Sequence, residues 1–452
     1  MMGELKMFRW GKTSGPRVVA ALALAGLAVG AGLSPAYAQF VCRDDVTGNG
    51  QGATATGTNS TACGKNATAS GASSTALGED AMASGTVSTA LGRGAVASGA
   101  LTTATGFEAQ ATGDSSTATG MRATATGARS TATGVAALAS GENSTATGAQ
   151  SRATALRATA TGQSAEATGA NSTATGQGTS ATGENSTATG VAARASGQAS
   201  TATGVDAQAT GEGSTATGGF AAATGVSSTA TGASATASGV NSTATGRSAL
   251  ASGVNSTATG VAATAIGENS TATGTSAVAT GTNSTALGAQ SRADFANSTA
   301  IGQGVQTTRA NQMAIGSGDN TYTMGGITSQ ASKAVQTGPL ELVTTDAQGN
   351  LASDGGAFQR QLDALGDRDS ELAEGIAIAL ALDAPNLQSG QSFALRMGYG
   401  NFDGSSALGV AAAGLLDKGS FGDRSTVTLD GGVGFGTSDG TVAGKAGLTF
   451  GW

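Results

Sequence analysis

Few residue types in this chain are able to do chemistry, and none is spaced to do it. Histidine is absent, which removes His-based triads, His metal ligands and His general bases together. Serine, aspartate and lysine are present, but no spacing pairs a nucleophile with a base. The two cysteines, Cys42 and Cys63, are too few for a zinc site or a disulfide framework. Two readings fit them: a single disulfide in an oxidising compartment, or a small buried hydrophobe at Cys63, whose repeat position elsewhere holds Thr, Leu or Ile. The glycines belong to a fixed period, so no phosphate loop is read from them. The expectation is a non-enzymatic chain with no catalytic residues, no metal and no cofactor.

The composition agrees. Glycine occupies 74 of 452 positions, about twice the usual ~7%. Charged residues are only 11%, aromatics 4%, and there are 4 prolines. A disordered linker of this length would be charged or Pro-rich, and collagen would need Gly at every third residue. A repetitive structural protein remains.

The N-terminus carries an address. Lys6, Arg9, Lys12 and Arg17 precede an apolar run from Val18 to Gly30, and Ala36-Tyr37-Ala38 places small residues before a cut. This is a Sec-type signal peptide over residues 1–38, with cleavage expected after Ala38. The run is shorter than the ~20 residues of a membrane-spanning helix. Its removal leaves the mature chain more acidic than the −7 of the whole, a poor binder of nucleic acid.

Glycine recurs at every seventh residue from Gly50 to Gly316, broken only at Ala155, Phe295 and Arg309. Alternate heptads differ, so the unit is fourteen residues. One half reads Asn143-Ser-Thr-Ala-Thr-Gly148; the other is looser, as in Ala136-Ala-Leu-Ala-Ser-Gly141. Ser, Thr and Gly at this density oppose a helix. The pattern predicts coils of two short strands and two turns, with glycine supplying positive φ at both turns, stacked ~4.8 Å apart as a solenoid. In Thr145-Ala146-Thr147 the threonines share one face. The position of Thr147 elsewhere holds Cys63, Leu77, Leu91, Ile266, Leu287, Ile301 and Ile315, so that face is expected to point inward. The Asn-Ser-Thr triplets match glycosylation acceptors, but their strict period assigns them to the turns.

These repeats resemble the head repeats of trimeric autotransporter adhesins of the YadA-like family, whose motif runs Asn-Ser-Val-Ala-Ile-Gly. Asn297-Ser-Thr-Ala-Ile-Gly302 and Asn311-Gln-Met-Ala-Ile-Gly316 match it best. The resemblance implies a left-handed parallel β-roll head over residues 50–318, after an N-terminal segment at 39–49.

A Gly/Thr/Asp-rich connector follows at 319–355, without a readable function. In 356–384, Phe358, Leu362, Leu365, Asp369, Leu372, Ile376 and Ala379 are spaced 4-3-4-3-4-3. That is a coiled-coil seam; a lone amphipathic helix packing this stripe on a sheet is the alternative. Pro385 stops the helix.

Residues 385–452 hold four alternating segments. Phe393, Leu395, Met397 and Tyr399, Leu408 and Val410, Leu429, Val433 and Phe435, and Leu448 and Phe450 mark one apolar face. Gly398, Gly409, Ala411, Gly432, Gly434 and Gly447 fall on the other. A soluble β-meander would show the same alternation. The signal peptide and terminal Trp452 favour a membrane barrel with the apolar face on lipid. Four strands cannot close, and open edges are excluded in lipid.

This helix-then-four-strands order resembles the YadA-like anchor. The resemblance implies a homotrimer in which three chains build one twelve-stranded transmembrane β-barrel, the helices fill its pore, and Trp452 signals insertion to the barrel-insertion machinery. The expected whole is mainly β: an outer-membrane adhesin with its head at the cell surface, exported by its own anchor. The ligand is unknown. Arg122, Arg129, Arg152 and Arg157 read as a solvated face, with a shared basic patch as the alternative. A spacer or self-association module is a second reading. A third is an ice-binding solenoid, which carries Thr-x-Thr pairs outward; the apolar residues at the second Thr position argue against it.

Overall fold

The computed structural model describes residues 39–42, 51–338, 340–420, 422, 424–438 and 440–452. The expected signal peptide, its cleavage site and residues 43–49 of the expected N-terminal segment lie outside them. The chain divides into two compact units, the first ending at Thr321 and the second running from Tyr322 to Trp452.

The first unit is a parallel β-solenoid. Each fourteen-residue coil gives a two-residue strand, such as Leu138–Ala139, and a three-residue strand, such as Thr145–Thr147. Each strand pairs in parallel with its equivalent fourteen residues on: Thr145 with Thr159, Leu138 with Arg152. The amide of Thr145 donates to the Ala158 carbonyl at 2.9 Å, and that of Leu138 to Ser151 at 2.8 Å. The three-residue strands form a 20-stranded sheet that includes Phe40–Val41, paired with Thr61 and Ala62. Phe40 and Val41, within the N-terminal segment, therefore extend the solenoid's sheet.

The inside is lined by alanine and serine. In one coil Ala137, Ala139, Ser144 and Ala146 are fully buried. Thr145 is half-buried and Thr147 exposed. This corrects the expectation that the Thr147 face points inward. The apolar residues at its equivalents are outward too: Leu91 is 44% and Ile315 48% exposed. A coil of fourteen residues has room inside for small side chains, so alanine and serine fill it, at about 0.8 kcal/mol per buried methyl, with Thr102, Thr179 and Val305 among the larger residues taken in. Ile266 lies on the other side, following the short strand Thr264–Ala265.

The two glycine series do different things. Gly148 and its equivalents have φ near 130°, while Gly141 and its equivalents do not have positive φ. In both series a Cβ would overlap the carbonyl of the next coil, that of Ala155 at Gly141 and that of Gly162 at Gly148. Positive φ at both turns was expected from glycine; at the second it is Asn143 (φ 57°) that adopts it, as Gln150 (φ 59°) does beside Gly148. All three breaks, Ala155, Phe295 and Arg309, fall in the Gly141 series. Close approach can be relieved by a local shift; a left-handed φ cannot be relieved for a side chain without strain.

In the second unit, α1 spans Gln330–Ala334, a short hairpin pairs Val343–Thr345 with Leu351–Ser353, and α2 spans Ala357–Ala381. Four antiparallel strands follow: Phe393–Phe402, Ser405–Lys418, Thr426–Gly436 and Val442–Gly451. The first two meet in a two-residue turn, Asp403-Gly404, with φ positive at both (48° and 83°), as a tight hairpin requires.

Candidate functional site

The four-stranded sheet presents two unlike faces. One carries Phe393, Leu395, Met397, Tyr399, Leu408, Val410, Leu429, Val433, Phe435, Leu448 and Phe450, all exposed, Met397 at 78%. Trp452 is exposed at its end. The other face is covered by α2. There Gly398, Gly409, Gly432 and Gly434 lie against the helix. A Cβ on Gly409 would come within 2.9 Å of the Ala381 carbonyl oxygen, and one on Gly432 within 3.0 Å of Leu382. Ala411 is buried on this face, whereas Gly447 faces the Asp430 carboxylate. Among the described residues no helix is long and apolar enough to cross a membrane; the elements with bilayer length are the strands, of 10 to 14 residues.

The helix uses a different face from the one the seam marks. Its buried residues are Ala373, Glu374, Ala377, Ile378 and Ala381. Phe358, Leu362, Leu365, Leu372 and Ile376 are exposed. The stripe is therefore not what packs on the sheet, and the lone-helix alternative for it is set aside. Sequence reading missed Glu374, the one charged residue in the buried set. Its Oε1 accepts from the Ser438 amide at 2.8 Å, and its Oε2 from the Thr441 amide at 3.3 Å. Both donors lie more than sixty residues on, so no local spacing announces them.

The helix start is tied down as well. The Asp354 carboxylate accepts from the amides of Phe358 and Gly356, each at 2.9 Å, and of Leu342 at 3.0 Å. Its pKa is held below the usual carboxylate value, first by the Phe358 amide and then by that of Gly356.

On the solenoid, the three-residue strands present two Thr ranks in register, as in Thr117↔Thr131 and Thr119↔Thr133. The two-residue strands present the chemically varied rank, which includes Arg152, Glu166, Ser180 and Arg194 in succession. Of Arg122, Arg129, Arg152 and Arg157, three stand beside carboxylates. Arg122 pairs with Glu108 at 2.8 Å, Arg129 with Glu142 at 3.8 Å and Arg152 with Glu166 at 3.6 Å. Along one turn edge, Asn241, Asn255, Asn269, Asn283, Asn297 and Asn311 form a ladder of side-chain amide hydrogen bonds, 3.0–3.1 Å each. Leu101 and Phe220 stand out: both hold left-handed φ, 57° and 59°, where bulky side chains are strained, and both are more than 60% exposed. Cys42 and Cys63 are joined as a disulfide, with Cα atoms 4.8 Å apart.

No curated protein matches the sequence significantly. Among solved structures, the crystal structure of the collagen-binding domain of Yersinia adhesin YadA is similar at 20% identity, covering 50% of this chain and 86% of that one. Its TM-score of 0.16 is too low to carry an argument. The family model described as the YadA head domain repeat (2 copies) matches residues 47–67, 69–95, 97–123, 125–151, 153–179, 167–193, 181–206, 195–221, 223–249, 251–278 and 279–304. These segments cover more than half of the chain and follow the fourteen-residue coils, so the chain belongs to the YadA head repeat family, that of the YadA-like trimeric autotransporter adhesins.

Proposed function

We propose that the protein is a homotrimeric outer-membrane adhesin. Residues 50–318 form the displayed head, 319–355 a connector, 356–384 a helix entering the barrel, and 385–452 an anchor that carries the head across the membrane by type V secretion. One observation supports this above the others: a four-stranded sheet with a continuous exposed apolar face on one side and a helix seated on glycines on the other. In lipid, the two open edges need partners. Three chains supply them as a twelve-stranded barrel, and the exposed seam from Phe358 to Ile376 then meets its counterparts from sister chains. In the head, the long-strand face, with Leu77 and Leu91 towards one end and Leu287, Ile301 and Ile315 towards the other, faces the sister chains. The varied short-strand rank and the turns face outward, and repeated weak contacts there give avidity without a strong single site.

Cells displaying the full chain test this. They are expected to attach to surfaces or to one another, and cells displaying a chain without residues 51–318 are not. Equal attachment by both would reduce the head to a spacer.

The outward Thr ranks favour a second reading, in which the same face is bare and orders water at an ice surface. The two readings exclude each other, because the trimer covers that face. Thermal hysteresis from the purified protein would select the second.

A further inference from the structure

We propose that Glu374 is the positioning residue that fixes how far α2 enters the barrel lumen, and thereby seals the pore. The inference rests on the reading of residues 385–452 as a membrane anchor.

The helix face that lies on the sheet carries a rank of alanines, with Ile378 as its one large apolar side chain, set against Gly434. Ala373, Ala377 and Ala381 recur at intervals of four. They meet glycines: a Cβ on Gly400 would overlap the Ala377 carbonyl, and one on Gly398 the Ala381 carbonyl. The alanine rank packs closely, but by itself it does not define depth. A slip of four residues exchanges one alanine for the next and moves the helix about 6 Å along its axis. The larger residues Ile378 and Glu374 must select one register, and of the two only Glu374 can do so through hydrogen bonds.

Glu374 is the one charged residue on that face. It is 0% exposed, and its two carboxylate oxygens accept from the Ser438 and Thr441 amides in the connection between the third and fourth strands. Those amides exist at one height only. In the slipped register the carboxylate would be buried away from them, and an unpaired buried charge is strongly disfavoured. The glycine beneath is part of the same device, since a Cβ on Gly436 would overlap the Glu374 carboxyl group. At the other end of the inserted stretch, Asp383 pairs with Arg396 of the first strand. That pair is well exposed and adds less.

The test uses the full chain, with wild type, Glu374→Ala, Glu374→Gln, Gly436→Ala and the double variant Glu374→Ala/Gly436→Ala expressed in a Gram-negative host. Outer-membrane level and sensitivity to a large hydrophilic antibiotic are read for each. Glu374→Ala is expected to insert at the wild-type level yet sensitise the cells several-fold. Glu374→Gln, which keeps a carbonyl acceptor, is expected to restore most of the seal. Gly436→Ala alone is expected to leak, and to add nothing once Glu374 is gone. A general loss of packing would instead make the two losses additive. Full sealing by Glu374→Ala, or equal harm from Gly436→Ala with and without Glu374, would overturn the proposal. Absence of the wild-type chain from the outer membrane is a different failure: it would overturn the anchor reading, and this one with it.

Discussion

The carbonyl oxygen of Ala155 occupies the space that a Cβ on Gly141, one coil earlier, would need. Seven residues after Gly141, Gly148 meets the same obstruction from the Gly162 carbonyl, and its φ of 125° selects glycine in addition. The period of seven is thus two interleaved demands of different strictness. Gly148→Ala is expected to destabilise its coils by more than the ~1–2 kcal/mol of a left-handed residue, because its Cβ also meets the Gly162 carbonyl. Ala155→Gly is expected to change stability by less than about 1 kcal/mol. Denaturant midpoints of the two variants compare them directly; equal losses would mean that the series are not distinct.

The asparagine ladder makes a graded prediction. Asn269 accepts from Asn255 at 3.0 Å and donates to Asn283 at 3.1 Å, at φ 54°. Asn269→Gly loses the hydrogen bonds but keeps the backbone conformation. Asn269→Val loses both and is expected to cost about 1–2 kcal/mol more. Hydrogen exchange in the flanking coils gives the order, which is wild type most protected, then Gly, then Val.

Reduction of the disulfide is expected to release the first strand. The Cys42–Cys63 bond spans 21 residues and secures the hydrogen bonds from the Phe40 amide to Ser60 and from the Cys42 amide to Ala62. A cross-link over such a loop is worth about 3 kcal/mol. Under reductant these two amides should exchange faster while those beyond Thr75 keep their protection. Unchanged exchange at Phe40 would show that the strand holds without the bond.

Asp354 makes the start of α2 sensitive to acid. Its folded pKa is lowered by the amides of Phe358 and Gly356, so its stabilisation is fully present above the unfolded value of about 3.9. It is lost as pH falls through the lower folded value. The Phe358 amide should lose protection in that acid range in the wild type. In Asp354→Asn, protection should be low already at neutral pH and flat below it. An acid transition that survives in the Asn variant would assign it to another group.

The parts legible in the sequence are those with local periods. A glycine every seven residues required coils, and alternation at Phe393, Leu395, Met397 and Tyr399 required a two-faced strand, because both signals repeat within a few residues. The inside of the coil was misread at Thr145-Ala146-Thr147. Apolar Leu91 and Ile315 suggested an inner rank, but in this strand it is Ala146 and its equivalents that point into the narrow coil, and size overrode hydropathy. At α2, the 4-3 stripe from Phe358 to Ile376 was visible, yet the buried face carries Glu374 instead. A carboxylate satisfied by backbone amides of a distant turn leaves no pattern in the residues around it.

The trimeric anchor is the claim on which the rest depends. The full chain would be expressed in a Gram-negative host, and its outer-membrane fraction run on SDS gels with and without boiling. A band at three times the mass of the boiled species, lost on heating and absent when Gly409→Leu crowds the lumen against Ala381, is the expected result. A soluble monomer, or a membrane band of monomer mass that heating leaves unchanged, would contradict the account.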